Sequence, residues 1–177
     1  MRLVLCRHAA ADDAAAGGDL AAALRELPAV AVYSSPLDRA RSTAVPIAAA
    51  HTLSPVIVDG LREIDFGEVE GLGFDDLPPD LQRGLLDNPT RVRFPGGETY
   101  AELQARVVAA LADITARHDG ETVVAVSHAG AIRAALAAWL LIPDEAVFRL
   151  DQRYAAVNVI EWHDGRPLIR VLNATQP

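Results

Sequence analysis

A chain of 177 residues, about half of them apolar, is long enough to bury one real core. Its formal net charge is −8 and every basic residue is Arg, which argues against broad binding to nucleic acid or an anionic membrane. Any phosphate site must therefore be built locally from a few placed arginines. The single cysteine, Cys6, excludes an intrachain disulfide and fits a reducing cytoplasm. The apolar run at residues 3–6 is too short for a signal-peptide core. No stretch approaches the ~18 apolar residues of a membrane span.

The first strand is expected over residues 2–6, running into Arg7-His8. Residues 9–19 are Ala, Asp and Gly and read as a loop, followed by a helix over 20–27 and a second strand over 29–33. Ser35 as N-cap, Pro36 at the first helical position and Asp38 three residues after the cap predict a helix running to about Ala50. A third short strand is expected over 55–58. From Gly60 to Gly97 periodicity is weak and Pro and Gly recur, so this segment reads as an excursion over the sheet, with a short helix near 79–87. Thr99 and Glu102 form a capping box, and Leu103, Val107, Leu111 and Ile114 recur at helical spacing as far as His118-Asp119-Gly120. A fourth strand is expected over 122–126, and the helix after His128 should bury Ile132, Leu136, Trp139 and Leu140. Residues 155–162 and 168–172 predict a hairpin about Asp164-Gly165. Strands alternating with helices predict an α/β fold with a mostly parallel central sheet and helices on both faces.

Two of these strands end on a histidine, His8 and His128. In parallel sheets ligands bind beyond the carboxyl ends of the strands. Neighbouring strands would make the two imidazoles face each other with Arg7 beside them. An imidazole can attack phosphorus once its other nitrogen is fixed by a hydrogen bond, and an adjacent Arg can fork onto two phosphate oxygens. Arg39 stands in the first turn of a helix, where a cation is slightly unfavourable. A bound anion would explain it, and a surface pairing with Asp38 or Glu63 is the plainer alternative. Arg41 lies about 200° further round the helix and cannot share the same site. Glu63 could protonate a leaving oxygen if burial raises its pKa, with Asp65 and Glu68 as nearby alternatives. Ala129 and Gly130 let the backbone at a helix N-terminus approach an anion. His51, His118 and His163 read as solvated, Cys6 as a small buried residue, and Arg133 as a helix-surface or supporting group.

Taken in order, Arg7-His8, residues 33–44 from Tyr33 to Ala44, residues 61–71 from Leu61 to Gly71, residues 94–99 from Phe94 to Thr99, and residues 126–130 from Val126 to Gly130 resemble the histidine phosphatase superfamily, the group that includes the cofactor-dependent phosphoglycerate mutases. The resemblance covers nearly the whole chain. It implies a three-layer, phosphoglycerate mutase-like α/β sandwich, one domain over residues 1–177, with the excursion at about 60–97 lying over the active site. It also implies that His8 becomes phosphohistidine, that Arg7, Arg39 and His128, with Ala129 beside them, hold phosphate, and that Glu63 is the general acid and base. No metal or cofactor is called for, because phosphoryl transfer depends mostly on positioning and on neutralising the equatorial oxygens.

The departures carry expectations of their own. Ala9, Ala10 and Ala11 follow His8 where the family has Gly-Glu-Thr, and Ala9 suits the turn only with a negative φ or tolerated strain. The stretch between His8 and Ala29 is shorter than usual, which predicts an open site and a bulky or loosely selected substrate. Val69 stands where an aromatic is common. The Leu61–Gly67 and Gly96–Thr99 segments look most like the small phosphatase branch, including α-ribazole phosphatases and broad phosphomonoesterases. The chain is too short for the insertions that hold a bisphosphate in the mutases, so hydrolysis is expected over isomerisation. The expected substrate is a small phosphate ester. Phosphoglycerate mutase-type transfer and a non-catalytic phospholigand-binding module are the alternatives. A Rossmann-type nucleotide protein is disfavoured, since no glycine fingerprint follows the first strand. The late hairpin offers an edge through which two copies could pair as a homodimer.

Overall fold

A computed structural model describes residues 1–10 and 14–175. Among these residues six strands, β1 (Arg2–Arg7), β2 (Ala29–Ser34), β3 (Val56–Ile57), β4 (Thr122–Ser127), β5 (Val157–His163) and β6 (Arg166–Ala174), form one sheet in the order β3-β2-β4-β1-β5-β6. The first four in that order run parallel, and β5 alone points the other way, paired antiparallel to both β1 and β6. Among the described residues five helices, α1 (Ala14–Leu24), α2 (Asp38–Ala50), α3 (Pro79–Asp87), α4 (Tyr100–Ala116) and α5 (Ala129–Leu140), complete the expected α/β arrangement.

The strand sequences explain the layering. Leu3, Val4, Leu5 and Cys6 are all essentially inaccessible to solvent, as a strand covered on both faces requires. Successive side chains point to opposite faces. Val4, Cys6, Val124 and Val126 therefore pack with Leu20, Leu24, Ala44 and Ile47 of α1 and α2. Leu3, Leu5, Val123 and Ala125 pack with Leu103, Val107 and Leu111 of α4 and with Ile132 and Leu136 of α5. Among the described residues no helix is long and apolar enough to cross a membrane.

Several local expectations are met. Thr99 Oγ1 accepts from the Glu102 amide at 3.2 Å while Glu102 accepts from the Thr99 amide at 2.8 Å, closing the capping box. The β5–β6 turn places Asp164 at φ 51° and Gly165 at φ 74°, the left-handed pair that a two-residue hairpin needs.

Others are corrected. The first helix begins at Ala14 rather than residue 20. Its Gly17-Gly18 pair reads as a breaker, yet Ala-rich sequence and burial of Leu20, Ala21 and Leu24 carry the helix through it. Residues 11–13 of the expected loop lie outside the described residues. The second helix starts at Asp38 with Leu37 in the N-cap position, so Ser35 is not its cap. In the last turn of α5, Trp139 is only partly buried, against Trp162 with ring centroids 5.4 Å apart, and Leu140 is exposed.

The segment from Gly60 to Gly97 is a chain of 3-10 turns around α3. Two backbone stretches cross in it at close range: the Glu98 amide donates to Asp65 O at 2.9 Å and the Glu68 amide to Pro95 O at 2.8 Å. A Cβ on Gly67 would lie 2.2 Å from Pro95 O, and one on Gly97 would lie 2.2 Å from Asp65 O. Glycine is required at both positions for the crossing to form.

Candidate active site

Strands β1 and β4 are neighbours with Arg7 opposite Ser127, and the His8 amide donates to Ser127 O at 3.0 Å. That register brings the two histidines together, with ring centroids 5.0 Å apart. Both are buried, His128 completely.

Their hydrogen bonds fix the tautomers. His8 Nδ1 lies 2.7 Å from Ala9 O. A carbonyl only accepts, so Nδ1 carries the proton and Nε2 keeps its lone pair. Arg39 Nε donates to His128 Nδ1 at 3.2 Å. Arginine only donates, so His128 is protonated on Nε2, which donates to Ser35 Oγ at 2.7 Å. Burial lowers the pKa of both rings, and the charges of Arg39 and Arg7 lower them further; His128 is brought down to about 3. Both imidazoles are thus neutral at pH 7. A dianion between the arginines would reverse that field.

Arg39 comes from the first turn of α2 and forms neither of the surface pairings with Asp38 or Glu63. Arg41 pairs instead with Asp38 at 3.5 Å, in solvent. Arg7 donates to Gln152 O at 2.6 Å, and its guanidinium carbon stands 3.6 Å from the centre of the Tyr154 ring. Tyr154 also meets His8, at 5.6 Å between centroids. Ala9 is absent from the positive-φ residues, and its amide donates to Thr43 Oγ1 at 3.0 Å. Alanine therefore fits this turn without strain.

Glu63 approaches from the excursion and grips the start of α5. Its carboxylate accepts from the Gly130 amide at 3.0 Å, the Ala131 amide at 3.2 Å and the Ile64 amide at 3.0 Å. A Cβ on Gly130 would fall 2.3 Å from Glu63 Oε1, which is why glycine follows Ala129. Of the two residues that the sequence offered to an anion, Gly130 thus has its amide occupied by Glu63, as does Ala131 after it. The nearby acids are placed elsewhere: Asp65 accepts from the Gly67 amide at 2.9 Å, and Glu68 is exposed beside Gly96.

The Glu63 loop is held by a residue that sequence reasoning missed. Arg106 donates to the carbonyls of Gly60 and Arg62 at 3.0 Å each and of Glu63 at 3.2 Å, and forks onto Glu98 at 2.8 and 2.7 Å. Glu98 in turn accepts from the Asp65 amide at 3.1 Å. Ser35, Gln152 and Tyr154 were missed as well. Ser35 resembled a helix cap, while Gln152 and Tyr154 reach the site from a loop that carries no motif. Two histidines expected in solvent are not there. His118 sits between Tyr33 Oη and Glu121, at 2.7 Å from each, and His51 is partly buried. His163 is exposed as expected.

Beside Glu63 lies a cavity of about 430 Å³ bordered by Ala129 and Gly130. The excursion supplies apolar walls, among them Phe66, Leu72, Phe74 and Phe94. Phe148, Tyr100 and Arg133 line it as well.

Residues 11–175 match the model of the histidine phosphatase superfamily (branch 1), a span that starts just after Arg7 and His8. The bifunctional protein Rv2228c of Mycobacterium tuberculosis is 37% identical over 149 residues, covering 82% of this chain and 41% of that protein. The chain thus spans about two-fifths of the length of the mycobacterial relatives it matches. Phosphoserine phosphatase 1 of Hydrogenobacter thermophilus is 34% identical over 148 residues, covering 81% of this chain and 70% of that one. The solved structure of YhfR from Bacillus stearothermophilus superposes with a TM-score of 0.90 at 24% identity, covering 97% of this chain and 96% of that chain, which is a likeness of fold.

Proposed function

The chain belongs to the histidine phosphatase superfamily, and from that premise we propose that it hydrolyses phosphate monoesters through a phosphohistidine on His8. The family and a relative named as a phosphoserine phosphatase support phosphatase activity. The observation that carries the finer reading is the tautomer of His8: Ala9 O holds Nδ1–H and leaves Nε2 as a neutral nucleophile beside His128.

The reaction runs in two steps. Nε2 of His8 attacks phosphorus as the bond to the ester oxygen breaks, and Glu63 delivers the proton that turns the leaving oxygen into an alcohol. Water then attacks the phosphohistidine, Glu63 takes its proton, and the P–N bond breaks to release phosphate and neutral His8. Arg7, Arg39 and His128, with the start of α5 at Ala129, hold the non-bridging oxygens and supply the positive charge, so that no metal is needed. The resting Glu63 carboxylate, held by three amides, is in the form that the second step uses. The first step requires it to take up a proton and turn toward the ester. On this reading residues 1–177 act as one domain on a small-molecule ester, with residues 60–97 bounding the leaving-group side.

Hydrolysis of an aryl phosphate in excess chelator, compared between wild type and His8→Ala, tests the proposal. Wild type should turn over and His8→Ala should lose on the order of a thousandfold or more. Acid quenching should trap labelled phosphate on wild type alone. A requirement for added metal, or an active His8→Ala, would overturn it.

A further inference from the structure

Arg7 is held by a loop that is itself tied down by a buried polar pair. Arg7 Nη1 donates to Gln152 O at 2.6 Å, and the centre of the Tyr154 ring lies 3.6 Å from its guanidinium carbon. Both contacts come from residues 151–155, which precede β5. Tyr154 is 53% exposed, too open to fix the loop. The buried Gln152 side chain fixes it instead, through a reciprocal amide pair with Asn158 of β5. Gln152 Nε2 donates to Asn158 Oδ1 at 3.1 Å, and Asn158 Nδ2 donates to Gln152 Oε1 at 2.8 Å. Asn158 is fully buried among Val157, Val159 and Ile160 on a strand paired with β1, where an apolar side chain is the rule. Its Nδ2 also donates to Leu5 O at 3.1 Å, and its Oδ1 also accepts from the Asn173 amide at 2.9 Å. A carbonyl only accepts and an amide N–H only donates, so the Asn158 side chain has one orientation. Two donors and two acceptor positions are filled, its full capacity. Asn173 in turn accepts from the Arg153 amide at 2.7 Å and donates to Asp151 at 3.1 Å. Asp151, Gln152 and Arg153 are thus all tied, directly or through Asn173, to one side chain.

Resting on the phosphatase reading for the role of Arg7, we propose that Asn158 and Gln152 are positioning residues: their amide pair sets the Gln152 carbonyl, and that carbonyl aims the Arg7 guanidinium at the phosphate. Neither side chain touches Arg7. They act through the backbone oxygen between them and the guanidinium. With Nη1 fixed and a ring against one face, the guanidinium plane is held in one orientation, which a forked contact to two phosphate oxygens requires. A buried polar network with every member satisfied is rigid, and rigidity at the phosphate is what phosphoryl transfer asks of the protein. Core packing alone gives no reason for an Asn in this strand, since an apolar side chain there would need no partners.

Gln152→Met tests this cleanly, because it keeps the carbonyl that Arg7 uses and removes only what anchors it. Calorimetric binding of inorganic phosphate should weaken about tenfold, and kcat/KM for phenyl phosphate should fall at least as far. In an Arg7→Met background the same change should alter phosphate affinity by less than about twofold, because the group being aimed is gone. Asn158→Leu should behave like Gln152→Met, and the two together should be no worse than the poorer single variant. Gln152→Met alters no strand and carries the test if Asn158→Leu does not fold. A merely structural pair would lower the melting temperature and leave phosphate affinity untouched. Phosphate affinity within about twofold of wild type in Gln152→Met, or an equal loss in the Arg7→Met background, would therefore overturn the positioning role. If no ester is hydrolysed but phosphate binding follows the expected pattern, the phosphatase reading fails and the positioning role stands. If wild type hydrolyses esters and Gln152→Met binds phosphate as wild type does, the reverse holds.

Discussion

Replacing Arg106 by Met retains most of the side-chain volume and removes the clamp on the Glu63 loop. Arg106 makes five hydrogen bonds, two to Glu98 and one each to the carbonyls of Gly60, Arg62 and Glu63. Both charged side chains are 20% exposed, so the pair is mostly shielded from water. Burial pushes the Glu98 carboxyl up, but Arg106 and the Asp65 amide more than offset it, and the group ends below its usual value. Without Arg106, Glu98 is stranded with one amide partner, a loss of roughly 1–3 kcal/mol, and the three carbonyls together lose about as much again. Water reaching the partly exposed positions returns a share, leaving about 3 kcal/mol. For a domain of this size that lowers Tm by roughly 6–12 °C. Urea unfolding and calorimetry read the stability. The loosened Glu63 loop should also slow hydrolysis of esters with poor leaving groups more than of aryl esters with good ones. Arg106→Met combined with Glu98→Gln should cost less than the sum of the single changes. An Arg106→Met variant within about 1 kcal/mol of wild type would refute the argument that this pair holds the loop.

The neutral histidines make the fold sensitive to acid. His128 titrates near 6.5 when unfolded and about 3 when folded, so between those values the unfolded chain binds a proton that the folded one refuses. Stability therefore falls as pH drops from about 6.5 toward 3, by on the order of 5 kcal/mol for His128. His8 acts in the same direction. Urea midpoints at pH 7 and pH 4.5 measure this, and His128→Asn should flatten the dependence; equal midpoints would count against buried neutral imidazoles. Gly130→Ala places a methyl 2.3 Å from Glu63 Oε1. It should displace the carboxylate from α5 and cut turnover of poor leaving groups at least about tenfold while phosphate still protects against unfolding; wild-type kinetics in that variant would show that Glu63 need not sit there. Glu63→Gln should likewise penalise poor leaving groups more than good ones, and equal losses would speak against its role as acid.

The strands were legible because β1 and β4 are continuous apolar runs, a pattern that only burial on both faces explains. Their terminal histidines, the Thr99 capping box and the Asp164-Gly165 turn were legible for the same kind of reason: each is a local rule satisfied by residues a few positions apart. The Gly17-Gly18 pair hid the start of the first helix, since it reads as a breaker until tertiary burial of Leu20 and Leu24 outweighs it. What brings His8 within 5.0 Å of His128 is the pairing of β1 with β4 across more than a hundred residues, which no local pattern encodes. The same holds for Ser35, whose hydroxyl looks like a helix cap in sequence and meets His128 in space. Arg106 is an unremarked helix residue until the excursion folds back and turns three carbonyls and Glu98 toward it. Sequence alone determined which residue types stand at strand ends and turns, because those preferences are local. The tertiary structure decided which nitrogen of each imidazole holds its proton, how Glu63 is held and where the cavity beside it opens, because these depend on partners that only long-range packing supplies.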